Sequence, residues 1–165
     1  MTEQAGSQPQ DERQFAVQRI YVKDISFETP NSPEIFRTEW KPENNLNLNT
    51  GAKQIEENLY EVTLTLTLTV KAGEKTAYLV EVQQAGIFTV LGFPEQEKGP
   101  MLGAYAPNLL FPYAREVISD LVNKGSFPQM VLQPMNFDAL YMQHQQQMAQ
   151  KAQKAQEQAQ AQGTH

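Results

Sequence analysis

The strictest constraint on this chain is a run of alternation. Residues 60–70 read Tyr-Glu-Val-Thr-Leu-Thr-Leu-Thr-Leu-Thr-Val, with an apolar side chain at every even position and threonine at the odd positions from Thr63 to Thr69. A period of two, filled by such residues, predicts a β-strand. A helix would scatter these leucines around its axis, whereas a strand gathers them on one face and the threonines on the other. Residues 71–75 are polar, contain Gly73 and suit a turn, and residues 76–84 form a return arm. A hairpin over residues 59–91 is therefore the element around which the rest must be arranged. A five-residue loop would pair Val70 with Thr76, Leu68 with Tyr78, Leu66 with Val80 and Leu64 with Val82, continuing one apolar face. The opposite face would carry Thr65, Thr67, Leu79 and Glu81, which sets one leucine beside a carboxylate on a polar surface.

Residues 15–28 read as another strand. Phe15, Val17, Tyr21, Ile25 and Phe27 fall on the odd face; the even face opens apolar with Ile20 and Val22 and ends in Asp24, Ser26 and Glu28. Asp24 and Glu28 then project from one face about 13 Å apart, too far to share a proton or a bond and closer to an acidic docking surface or a solvated strand end. Pro30 and Pro33 close the strand. Residues 34–49 read as a long connection holding the only tryptophan, Trp40, with Leu46 and Leu48 in a short extended piece near its end. Trp40 is either a plug beneath that connection or the wall of an apolar groove. Residues 85–91 either prolong the hairpin or start a fourth strand, with Gly86 suggesting a bulge or kink. Residues 93–100 suit a charged loop, and Gly99 to Gly103 lacks the Gly-Lys-Ser/Thr ending of a phosphate loop.

Helical spacing returns at residues 109–124, where Ala114, Val117, Ile118, Leu121 and Val122 recur and Gly125 suits the C′ position. Pro112 either marks the start of this helix or kinks its first turns. Its apolar surface exceeds one stripe, which suggests a subunit interface. A second helix is expected from Phe137, capped by Asn136, to about Ala155. Beyond Gln143 it is rich in Gln and Ala and should fray into a solvated tail.

A chain of 165 residues suits one domain over residues 15–145, with a disordered N-terminal tail at 1–14 and a Gln/Ala-rich C-terminal tail at 146–165. The net charge is −6 and no basic stripe is present, so nucleic acid is not an expected partner. Cysteine is absent, which excludes disulfides and thiolate chemistry, and a cytoplasmic setting is compatible with that. Residues 1–14 contain no apolar run, so neither a signal peptide nor membrane insertion is expected. The two histidines, His144 and His165, lie in or near the tail. With no anchored nucleophile, metal cluster or phosphate cradle, no cofactor is expected, and binding or assembly is favoured over catalysis.

The motifs then resemble the SecB protein-export chaperones. The resemblance rests on residues 18–31, QRIYVKDISFETPN; on 81–88, EVQQAGIF; on 102–105, LGAY; on 107–116, PNLLFPYARE; and on 134–141, PMNFDALY. It covers residue 15 to about residue 145. It implies an α+β fold with a four-stranded antiparallel β-sheet and two α-helices on one face. It also implies a cytoplasmic homotetramer, a dimer of dimers. Such a protein is no enzyme and needs no ATP: it binds unfolded precursor proteins and delivers them to the SecA motor of the Sec translocase. Asp24, Glu28, Leu79 and Glu81 fall on the family's SecA-docking positions. Tyr78, Val80, Val82 and Gln84 fall on positions linked to tetramer assembly. Trp40, Leu46, Leu48 and Phe137 look like parts of the client groove. Asn44 stands where the family usually carries an aliphatic residue. The rival reading from the residues alone is a scaffolding oligomer that docks one fixed folded partner through its acidic sheet face.

Overall fold

A computed structural model of the protein describes residues 12–162. Most of the N-terminal tail expected at 1–14, and His165, lie outside the described residues; Gln14 already belongs to a strand. In chain order come β1 (Gln14–Glu28), a 3₁₀ turn (Glu34–Arg37), β2 (Pro42–Glu56), β3 (Leu59–Ala72) and β4 (Lys75–Leu91). Then follow α1 (Glu95–Pro100), a π-helical turn (Met101–Tyr105), α2 (Ala106–Lys124) and α3 (Phe137–Gln162). The four strands form one antiparallel sheet in the order β1-β4-β3-β2. The α+β fold expected from the sequence is therefore present.

The hairpin forms with a register two residues away from the expected one. Val70 pairs with Tyr78, Leu68 with Val80, Leu66 with Val82 and Leu64 with Gln84. The turn itself is only Gly73-Glu74, between the paired Ala72 and Lys75, and Gly73 takes φ +65°, as the first central residue of a type II′ turn does. Ala77 is then the extra residue of a bulge between the Thr76 and Tyr78 pairs. A slip of two is even, so from Tyr78 onward every side chain keeps its expected face; before the bulge, Thr76 moves opposite Lys71 and Ala77 is buried.

Strand β1 departs more. Bulges at Gln18 and Lys23 flip its alternation twice. Phe15 and Val17 share a face with Ile20 and Val22, then with Ile25 and Phe27, because all of these pair with the inward residues of β4. Tyr21, placed among the inward residues by simple alternation, lies on the outer face. The apolar start of the even side has the same explanation. Strand β2 is also longer than expected: what reads as a loop with a short extended piece is a 15-residue edge strand. Pro42 stands at its first position, where no ladder N–H is required, and asparagines do no harm on an edge. The fourth strand is thus β2, and residues 85–91 simply continue β4.

Helix α2 covers the inner face of β3 and β4. Leu110, Ala114, Ile118 and Val122, four apart, are fully buried, as are Val62, Leu64, Leu66 and Leu68 of β3 and Val80, Val82, Phe88 and Val90 of β4. Burial of each such Leu, Ile or Val side chain is worth about 1.5–3 kcal/mol. Gly86 marks no bulge; a Cβ there would stand 2.7 Å from the Phe88 ring and 3.1 Å from Leu110. The expected charged loop at 93–100 is largely α1, which runs through the π turn into α2. Helix α2 therefore begins before Pro112 and passes through it. At its far end the left-handed residue is Ser126 (φ 64°), not Gly125 (φ −75°). Phe127 N–H donates to the Val122 carbonyl and Ser126 N–H to that of Asn123, a Schellman ending. Gly125 serves packing instead, since a Cβ would meet Phe27 at 2.7 Å.

Helix α3 is capped by Asn136, whose Oδ1 accepts the Ala139 N–H at 3.0 Å. It runs to Gln162, past the expected end at Ala155, although from residue 142 to 161 every side chain is exposed. Its start is anchored by Phe137 against Phe111, ring centroids 5.7 Å apart, and by Tyr141 over Gly103, where a Cβ would lie 2.5 Å from the ring.

Candidate docking face and apolar clefts

The outer face of the sheet brings the expected docking residues together on two neighbouring strands. Asp24 pairs with Gln83, Ser26 with Glu81 and Glu28 with Leu79. Strand alternation and the Lys23 bulge between them turn Asp24 and Glu28 outward beside Leu79 and Glu81, about 4.8 Å from strand to strand. Asp24 and Glu28 are exposed, while Leu79 and Glu81 are partly covered. Thr67 of β3 donates its hydroxyl to Glu81 Oε2 at 2.9 Å, which orients that carboxylate. The result is an acidic strip on which Leu79 lies beside Glu28 and Glu81, with Asp24 about 13 Å further along the strands.

A cluster further along the same face was not foreseen. Tyr21 Oη donates to Glu61 Oε2, and Lys23 Nζ lies 2.7 Å from Glu61 Oε1. Lys23 and Tyr21 hold the Glu61 carboxyl below its usual range. Burial, then the hydrogen bond to Glu61 and its charge, push the Tyr21 phenol up to about 12. Plain alternation hides this cluster, because it turns Tyr21 inward; only the two bulges bring it out.

The expected client-groove residues divide between two clefts. Trp40 lies against Phe127, centroids 5.8 Å apart, in a cavity of about 190 Å³ lined also by Ile35, Phe36 and Pro128. Phe127 stacks in turn on Phe36 and Tyr78. Leu48 and Phe137 line a separate cleft of about 300 Å³ between β2 and the start of α3, with Gly103, Leu140 and Tyr141. Leu46 pairs with Leu68 and packs on the core between them, and Phe137 is itself only 3 % exposed. Asn44 turns its amide toward Met130 Sδ at 4.0 Å, so this end of β2 faces the crossing that follows α2.

The third group is different in kind. Tyr78, Val80, Val82 and Gln84 are all 2 % exposed or less within a single chain. They form the inner row of β4, packed within the chain, and not a free surface. Burial pushes the Tyr78 phenol up to about 12. Apolar surface left uncovered within the single chain includes Val17, Val22 and Ile25 on the inner face of β1, each at least 40 % exposed, and Tyr105 and Tyr113 along the helices.

The family model described as preprotein translocase subunit SecB matches residues 8–148. The chain belongs to the SecB family. It is 66 % identical over 141 residues to the protein-export protein SecB of Methylococcus capsulatus, covering 86 % of this chain and 90 % of that one. It is 58 % identical over 139 residues to that of Marinobacter nauticus, covering 84 % of each. Among solved structures it is similar to a SecB-like chaperone of Mycobacterium tuberculosis bound to an antitoxin peptide, with a TM-score of 0.63 over 73 % of this chain and 90 % of that one. At 14 % identity that likeness speaks for the fold alone. Membership of the SecB family makes the chain a protein-export chaperone and not an enzyme. Among the described residues, no helix is long and apolar enough to cross a membrane.

Proposed function

We propose that this SecB-family chain holds unfolded precursors in the cytoplasm and passes them to the SecA motor, which docks on the outer face of the sheet. The observation that carries the reading is the alignment of Asp24, Glu28 and Glu81 along the outward side of two adjacent strands, with Leu79 beside Glu28 and Glu81. A basic partner segment with a small apolar contact complements such a surface, and long-range attraction would speed its encounter. Clients would bind at the other side of the molecule. Trp40 and Leu48 border two separate clefts, Leu46 packs on the core between them, and Phe137 shapes the second from beneath. Unfolded chains share no sequence, so several adaptable apolar sites that act together suit them better than one tight pocket.

The working form is a homotetramer, a dimer of dimers. Its support is the uncovered apolar side of β1 and the exposed tyrosines at 105 and 113, which a second copy would bury. Tyr78, Val80, Val82 and Gln84 would bear on assembly indirectly, by fixing the sheet that carries those residues. A mass measurement tests both claims together. The protein alone should run as a tetramer at micromolar concentration, and it should form discrete complexes with several unfolded precursors but not with their folded forms. A monomer, or binding restricted to one folded partner, would overturn the reading.

A further inference from the structure

The geometry points to Glu61 as a positioning residue for the docking face: with Tyr21 and Lys23 it pins the β1 bulge that turns Asp24 outward. The inference rests on the docking role proposed above and adds to it the residue that sets its geometry. Val22 pairs with the inward Gln84. Were β1 regular, Asp24, two residues on, would point inward too. One extra residue, Lys23, intervenes before the Asp24–Gln83 pair and reverses the alternation. The orientation of Asp24, Ser26 and Glu28 therefore depends on that bulge holding its place.

Glu61 binds the bulge residue itself, Lys23, and Tyr21 two residues before it. Tyr21 reaches from β1 across β4 to β3, over its own partner Ala85, which is fully buried and offers only a methyl group to cross. Lys23, the bulge residue, meets the other oxygen of the same carboxylate. Glu61 is 18 % exposed in its side chain, so solvent screens this contact less than an ordinary surface pair. The clamp has an electrostatic consequence as well. Lys23 is adjacent in sequence to Asp24, and an unclamped ammonium group there would neutralise the docking carboxylates. Glu61 holds it on the side of the sheet where Arg19 and Lys53 also lie, and leaves Asp24, Glu28 and Glu81 unpaired by any lysine or arginine among the described salt bridges.

The test compares Tyr21→Phe, Glu61→Leu and Asp24→Asn in the full-length protein. Tyr21→Phe keeps the ring and every charge, so it isolates the hydrogen bond even if Glu61→Leu proves unstable. SecA affinity should fall about threefold for Tyr21→Phe and about tenfold for Glu61→Leu. Amide exchange over residues 20–28 should quicken in both, with client binding unchanged. In an Asp24→Asn/Glu28→Gln background, Glu61→Leu should have little further effect, because it acts through the two carboxylates that the bulge orients. Additive losses would mean that Glu61 touches the motor directly and would overturn the positioning role. So would unchanged exchange and affinity in both single variants while Asp24→Asn still weakens docking. If exchange quickens but neither these variants nor Asp24→Asn alters SecA affinity, the clamp stands as a structural device, and it is the docking reading itself that fails.

Discussion

The two faces of strand β4 divide the labour of the molecule residue by residue. Tyr78, Val80, Val82 and Gln84 point inward and are buried beneath α2; Leu79, Glu81 and Gln83 point outward and remain partly open. Neighbours in sequence, these residues meet opposite demands. The inner row must fit a packed interior and tolerates neither charge nor lost volume. The outer row rests on a polar surface where substitutions cost the fold little and change only what the surface attracts.

The largest contrast should come from two adjacent positions. Val80→Asp places a carboxylate in the core and should cost about 4 kcal/mol or more, seen as unfolding in denaturant titrations and not as a tidy change of subunit number. Glu81→Gln should leave the unfolding free energy within about 0.5 kcal/mol of wild type. If Val80→Asp gave a stable dimer, the inner row would be an interface after all. Charges placed on β1 should do that instead: Val22→Asp with Ile25→Asp should lower the mass by light scattering while the circular dichroism of the sheet is retained.

Next in size is the close approach at the end of α2. Gly125→Ala drives a methyl group into the Phe27 and Phe127 rings and should lose about 1–3 kcal/mol, measured by chemical denaturation. Smaller still, Asn136→Ala removes the α3 cap and should cost about 1 kcal/mol by the same measurement.

Alkali should separate the faces by another route. The phenols of Tyr78, inside, and Tyr21, outside, are both raised to about 12 from a reference of 10.0. Below pH 10 both are protonated, folded or unfolded, and stability is unaffected. Between pH 10 and 12 the unfolded chain releases protons that the folded one retains, so stability falls as pH rises. The melting temperature should drop over that window, and Tyr78→Phe should flatten the slope more than Tyr21→Phe, because Tyr78 is the more completely buried.

How far the sequence speaks for the structure depends on what each signal encodes. Alternation in residues 60–70 encodes a face, and the face survived even though the turn proved three residues shorter and Ala77 bulged: both changes together shift the pairing by two. It does not encode where an edge strand slips. Nothing in the side chains of Gln18 or Lys23 announces a bulge, so Tyr21 and its contact with Glu61 stayed hidden while Asp24 and Glu28 were placed on their proper face. Strand β2 was hidden for another reason. Its asparagines and Pro42 are loop formers by propensity, and only the partner strand β3 supplies the ladder that overrides them. The long run of α3 is exposed from residue 142 to 161, and the helix propensity of its Gln and Ala residues favours that length. The resemblance to the SecB family groups Trp40 and Leu48 in one groove, whereas in the structure they border different clefts, because Trp40 stands just before β2 and pairing with β3 carries Leu48 away along the extended strand.

The outer face is most directly tested by the affinity of SecA for Asp24→Asn/Glu81→Gln measured across a salt series. Exposed charges are screened within about 10 Å at 0.1 M salt. The double variant should bind SecA more weakly at low salt and show a shallower salt dependence, with client binding and subunit mass unchanged. Leu79→Ala should weaken docking with little change in slope. If the double variant bound SecA as tightly as wild type at low salt, the acidic face of β1 and β4 would not be the place where the motor docks.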